Sequence, residues 1–215
     1  MIKTRRVLQT IAALVLTLGV TSVTQAQVGN NSGVLNPNLA SADEMAALPH
    51  MTLGLAHAII ERRPHLAMLP LNEMLSQHLS AEQRAELYTQ LFVPINLNTA
   101  SEEEILLVPG VGARMAHEFD EYRPYAALAQ FRREIGKYVD DEQVAAYEQY
   151  VFVPIDLNSA SDEDILSIPG VGNRMLHEFK EYRPYRSIEQ FRREMGKYVD
   201  DDEVARMERY VYVGG

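Results

Sequence analysis

Apolar residues recur along this chain at three- and four-residue intervals, in short runs that proline and glycine interrupt. Ile105, Leu106 and Val108 follow Ser101 and an acidic stretch; Met115, Ala116 and Phe119 follow Gly112; Val144, Tyr147 and Val151 follow Asp140. Such spacing gathers each set on one face of a helix. No stretch keeps a two-residue alternation, so the chain reads as all-α. Phe92-Val93-Pro94 and Val151-Phe152-Val153-Pro154 read as helix ends and linkers.

Local signals bound four helices within residues 95–154. The first begins at Ser101, where Glu104 three residues on predicts a capping box, and it stops at Pro109-Gly110. Ser161 with Asp164, and Ser41 with Glu44, repeat that signal. The second helix runs from Gly112 to about Tyr122, because Arg123 precedes Pro124 and is pushed away from the helical conformation. The third covers about Ala127 to Ile135, and Asp140 caps the fourth.

The same pattern is written three times. Residues 95–154 and 155–214 align without a gap and share 39 of 60 positions. Residues 35–94 are more diverged, yet keep Asn36, Asn38, Ala40, Ser41, Glu44, Pro49, His57, Arg63 and Pro64 in register. The expected architecture is therefore three tandem units of about 60 residues, each two helical hairpins. Their expected bounds are 27–94, 95–154 and 155–215. Residues 1–26 read differently. Lys3, Arg5 and Arg6 precede an apolar stretch from Val7 to Val23, and Thr24-Gln25-Ala26 supplies small residues for cleavage after Ala26. That is the pattern of a secretory signal peptide and implies a periplasmic or secreted protein.

Charge narrows the functions that fit. The formal charge is −10, and all three basic residues of the leader are lost on cleavage, leaving −13. Such a chain repels polyanions at long range, so nucleic-acid binding requires a locally favourable site. There is no Cys, hence neither a disulfide framework nor a thiol nucleophile. No Gly-x-Ser-x-Gly and no lysine-bearing phosphate loop occur, and no zinc-like spacing of His, Asp or Glu. The expectation is a non-enzymatic protein without cofactor or metal.

Three motifs stand in fixed order: Leu97-Asn98-Thr99-Ala100-Ser101, Pro109-Gly110-Val111-Gly112 and Tyr122-Arg123-Pro124-Tyr125, with counterparts at 157–161, 169–172 and 182–185. Together they resemble the helix-hairpin-helix family, and within it the exported ComEA-type competence proteins. The resemblance implies paired helix-hairpin-helix motifs in each unit and DNA binding without sequence preference. The extrinsic PsbU subunit of photosystem II is similar in fold, and that likeness implies a protein-binding role instead; the acidic charge and the degenerate first copy fit a scaffold with an envelope protein partner.

The residues themselves suggest where a phosphate would sit. Gly110 and Gly112, like Gly170 and Gly172, suit a turn with positive φ and no side chains. The amides that follow open a helix and lack intrahelical acceptors, which with the helix dipole makes an anion site. The candidate phosphate-binding residues are Gly110, Val111, Gly112, Ala113 and Arg114, and Gly170, Val171, Gly172, Asn173 and Arg174. Both first turns are free of carboxylates. By contrast, Asp140-Asp141-Glu142 and Asp200-Asp201-Asp202-Glu203 fill the positive ends of the fourth helices, so those hairpins read as structural. Arg132, Arg133, Arg192 and Arg193 are expected to pair with Glu118, Glu121 and their equivalents. The first copy has His50, Thr52 and Gly54 where the others have Gly, Gly and Arg, and has no candidate ligand. His57, His117 and His177 share one repeat position and suggest helix packing. The recurring tyrosines, Tyr122, Tyr125, Tyr138 and Tyr150 with their counterparts, suggest core and rim.

Overall fold

A computed structural model describes residues 33–214; the expected signal peptide lies outside them. Twelve helices occur among the described residues. Within the first sequence copy lie α1 (Ala42–Ala46), α2 (Leu53–Ile60), α3 (Met68–Ser76) and α4 (Ala81–Tyr88). The second holds α5 (Glu102–Ile105), α6 (Ala113–Glu121), α7 (Leu128–Ile135) and α8 (Asp141–Glu148). The third holds α9 (Asp162–Ser167), α10 (Asn173–Glu181), α11 (Ile188–Met195) and α12 (Asp201–Glu208). The class is all-α.

The segments read as linkers are in part extended and paired. β1 (Ile95–Asn96) pairs in parallel with β2 (Val151–Phe152), and β3 (Ile155–Asp156) with β4 (Val211–Tyr212). Leu35 bridges Leu91 in the same parallel sense. Each pairing ties the start of one sequence copy to its end. Strands of two residues are too short for alternation to register, which is why the sequence concealed them.

Eight of the twelve helices have a side-chain N-cap. Ser41 and Ser161 complete the expected capping boxes. Ser101 does not: its hydroxyl accepts from the Glu104 amide, but the Glu104 carboxylate accepts from Met68 N at 2.6 Å instead of reaching back. That carboxylate thus serves the start of α3, whose own preceding residue, Ala67, has no capping group. Leu106, expected on the apolar face of α5, is instead exposed, while Ile105 and Val108 are buried.

One cluster of buried side chains runs from Val34 to Val153, and a second from Phe152 to Val211. Aromatic edges organise both. Phe119 meets Phe131 at 5.0 Å and Tyr147 at 5.6 Å, and Phe179 meets Phe191 at 5.2 Å. Phe92 packs on Tyr150 and Phe152 on Tyr210, across the boundaries between copies. Arg209 crosses further, donating to Pro94 O at 2.7 Å and lying over Phe152 and Tyr210. Burial depresses the pKa of that guanidinium.

A polar clasp recurs inside each copy. Asn98 donates to Tyr125 O and accepts from Tyr125 N; Asn158 does the same with Tyr185, and Asn38 with His65. The arginine of the Arg-Pro pair donates to the loop ahead of the first helix: Arg63, Arg123 and Arg183 reach Ala40 O, Ala100 O and Ala160 O. The Asn and the Arg-Pro motif are therefore internal fasteners that close backbone groups which burial would otherwise leave unpaired.

Candidate functional site

Both Pro-Gly-Val-Gly segments form the same tight turn. Val111 N donates to Val108 O, and Val171 N to Ile168 O, each at 3.0 Å. Gly110 and Gly170 sit at φ +81° and +80°, where a side chain is strained. Gly112 and Gly172 do not share that conformation, contrary to expectation. They are extended, at φ −102° and −110°, and act as N-caps of α6 and α10. No steric demand holds them to glycine, since nothing lies within 4 Å of a Cβ built at either position; what glycine leaves out is a capping side chain.

Neither N-cap has a side chain to offer, and neither first turn contains an acid. The first helical bonds are Ala116 N to Gly112 O and Leu176 N to Gly172 O. The amides of Ala113, Arg114 and Met115, and of Asn173, Arg174 and Met175, therefore have no acceptor among the described bonds. Arg114 and Arg174 are exposed and enter no ion pair among the described residues. The Arg114 guanidinium lies 6.0 Å from the centre of the Tyr138 ring. All ten expected residues thus converge on two turns, with Val111 and Val171 buried beneath them as anchors.

The first copy shows the closed alternative. Thr52 caps α2 with its own hydroxyl, accepting from Leu55 N at 3.2 Å. His50 takes the positive-φ position, at 63°, and its Nε2 lies 2.8 Å from Glu86 Oε2. Lower in each later copy the fourth helices are also closed: Asp140 accepts from Gln143 N and Asp200 from Glu203 N, each at 2.9 Å.

The basic residues of the third helices are paired, with partners other than those expected. Arg132 bonds Glu148 and Arg192 bonds Glu208, both on the following helix; Arg133 and Arg193 bond Glu134 and Glu194. The Lys137 ammonium, then Arg133, holds the Glu134 carboxyl below the ordinary range, and Lys197 leads the same effect on Glu194. Glu118 and Glu121 lie on α6, whereas Arg132 meets Glu148 on α8 and Arg133 meets its own neighbour Glu134 on α7.

The other repeated residues divide clearly. His57, His117 and His177 are exposed, so they do not pack helices; His177 lies 3.3 Å from Glu181. Among the described residues no three His, Asp or Glu side chains gather as a metal site. Tyr125, Tyr150, Tyr185 and Tyr210 are buried. Tyr122 and Tyr182 bond Tyr138 and Tyr198 at the rim, at 2.8 and 2.7 Å. That bond, with Glu118 beside it, raises the pKa of Tyr138.

Two contacts were not foreseen. Tyr147 Oη donates to Gly110 O at 3.0 Å, and Arg206 donates to Pro169 O. The signal was present in the alignment of the copies, where Gln143, Ala146 and Tyr147 face Glu203, Arg206 and Met207. No helix among the described residues is long and apolar enough to cross a membrane. The chain matches no family model, no curated protein and no solved structure.

Proposed function

We propose that this is an exported, non-enzymatic protein that holds the phosphate backbone of DNA without sequence preference. In this reading it is built of three tandem units, each a pair of helix-hairpin-helix motifs, and the hairpins at 109–114 and 169–174 are the contact points. The observation that carries the reading is the pair of open helix starts: among the described residues, free first-turn amides, no carboxylate, no cap and an arginine without an ion pair beside each. Amides at a helix N-terminus favour an anion through both hydrogen bonding and the helix dipole. Such contacts address phosphate and leave the bases unread. The first copy, capped by Thr52, serves as a scaffold.

A gel-shift titration of residues 27–215 against random duplex DNA at low salt tests this. Weak, salt-sensitive binding is expected, with a log–log salt slope of roughly −2 to −4 for a few phosphates. Arg114→Glu with Arg174→Glu should abolish it. Absence of binding at about 100 μM, the weak end of non-specific affinities, or indifference to the double substitution, rejects the reading in favour of a protein-binding scaffold whose acidic faces meet a basic envelope partner.

A further inference from the structure

The two copies that keep Pro-Gly-Val-Gly also keep a side-chain donor from the fourth helix to a turn carbonyl. In the second copy it is Tyr147 of α8, bonded to Gly110 O. In the third, Met207 replaces that tyrosine and has no hydroxyl, but Arg206 replaces Ala146 and donates to Pro169 O. Glu203 replaces Gln143 and bonds Arg206 Nε at 2.7 Å, balancing a guanidinium only 2% exposed. The substitutions remove one donor and supply another. In the first copy, which has lost the glycines, the residue matching Tyr147 is Leu87, which has no donor, and the one matching Arg206 is Glu86, an acceptor that faces His50 instead.

We infer that Tyr147 and Arg206 are positioning residues of the two hairpins, an inference that rests on the phosphate-binding reading above. The bond from Val171 N to Ile168 O, with Pro169 and then Gly170 at positive φ between them, is a type II turn. It differs from type I by a flip of the central Pro169–Gly170 peptide. In a trans peptide the N–H points opposite the C=O. Anchoring Pro169 O on α12 therefore directs Gly170 N–H away from α12, and that amide has no acceptor among the described bonds. A flip would reverse the plane and turn a carbonyl outward beside the open helix start, where it would repel a phosphate. Arg206 selects the form that keeps the amide side outward. Tyr147 holds the next peptide, through Gly110 O; the N–H of that peptide belongs to Val111 and already closes the turn on Val108 O, so Tyr147 pins the turn itself and not an outward amide.

The test uses the full chain with Arg206→Met and, as the conservative rescue, Arg206→Lys. Two readouts are taken: the amide resonance and exchange rate of Gly170, and affinity for a random-sequence duplex at low salt in an Arg114→Glu background, so that only the third hairpin is read. Arg206→Met should shift the Gly170 resonance, leave its exchange no faster than that of an already unbonded amide, and weaken duplex binding about tenfold, the size of one lost charge-assisted hydrogen bond. Arg206→Lys, which retains a donor, should restore both. A folded Arg206→Met protein with an unmoved Gly170 resonance overturns the inference, as does a shifted turn with duplex affinity unchanged. If the parent protein binds no DNA, the phosphate reading fails, and the Gly170 resonance still decides whether Arg206 sets the turn.

Discussion

Writing the first copy's threonine into the other two should stabilise the protein and disable it. Thr52 sits at φ −128° and ψ 159°; Gly112 and Gly172 sit at −102° and 174°, and −110° and −177°. All three are extended, a conformation threonine adopts freely, and the space around a new Cβ is empty at both glycines. In Gly112→Thr and Gly172→Thr the hydroxyls should accept from Met115 N and Met175 N, as Thr52 does from Leu55 N. A threonine cap in place of glycine contributes a few tenths of a kcal/mol, and the loss of glycine's freedom in the unfolded chain adds about 0.4–1 kcal/mol. The pair should gain about 1–2 kcal/mol, since distant sites add, or about 2–8 °C in Tm for a chain of this size. Duplex affinity should fall about tenfold per hairpin, because one of the three open amides is taken and a hydroxyl oxygen stands where the phosphate would sit. Thermal denaturation and a fluorescence-anisotropy titration measure the two effects. Gly112→Ala with Gly172→Ala is the control: it adds the Cβ without the hydroxyl and should keep the binding. A threonine pair that binds as tightly as the parent would refute the open-amide account. A threonine pair less stable than the parent would show that those helix starts are neither open nor unoccupied.

Gly110→Ala and Gly170→Ala should differ in urea denaturation: both incur about 1–2 kcal/mol for positive φ, but the second meets Arg206 Nη2 at 2.8 Å and Leu39 at 3.1 Å, and overpacking adds about 1–3 kcal/mol. Stability should fall as the pH drops through about 6.5, because His65 is buried neutral, its pKa lowered by burial and by Arg63 and Arg62 against the opposing bond to Ile59 O. The unfolded chain then binds the proton more readily, so stability is complete above that range and is lost below it; His65→Tyr, the residue found at 125 and 185, should flatten the pH 7-to-5 part of the curve. Duplex affinity should fall as salt rises above about 0.1 M and phosphate contacts are lost, and the slope should flatten toward about 0.01 M, where the Debye length is about 30 Å and the net-acidic chain repels DNA; a slope that stays constant to the lowest salt would show that the global charge does not matter.

Much of the fold was legible because its signals are local. Ser41, Ser161, Asp140 and Asp200 announce helix starts by chemistry confined to one turn, and the structure places each as the N-cap expected. Contacts between distant residues were not legible. Glu104 looked like half of a capping box, yet it serves Met68, 36 residues away. The parallel pairing of Leu35 with Leu91 leaves no trace in periodicity, since one bridge has no period. The candidate site was legible in its residues and less so in its geometry. Gly110 and Gly112 carry the same letter, but only Gly110 needs it for its backbone angle; at Gly112 a Cβ would meet nothing within 4 Å. Arg206 and Tyr147 escaped notice because each makes sense only beside a carbonyl 37 residues earlier.

The net charge is the strongest objection to a DNA-binding reading, and the pattern of ion pairs answers it locally. Carboxylates outnumber bases by ten across the chain, yet their placement is not uniform. Those nearest the third helices are spent on Arg132, Arg133, Lys137 and their counterparts, which shortens the reach of both signs. Others sit at the starts of α8 and α12, where Asp140 and Asp200 cap the helix and their acidic neighbours complement its dipole. The starts of α6 and α10 are spared both uses, and each keeps an arginine with no carboxylate partner among the described residues. At physiological salt the Debye length is about 8 Å, so exposed acids beyond that distance weigh little against amides in direct contact with a phosphate. The start of α7 is likewise uncapped and free of acid, but its first turn carries no arginine; at α6 and α10 an arginine stands beside the opening, so an otherwise acidic surface would favour approach where a backbone phosphate reaches those two helix starts, which makes the acidity a source of orientation and leaves the affinity to the hairpins.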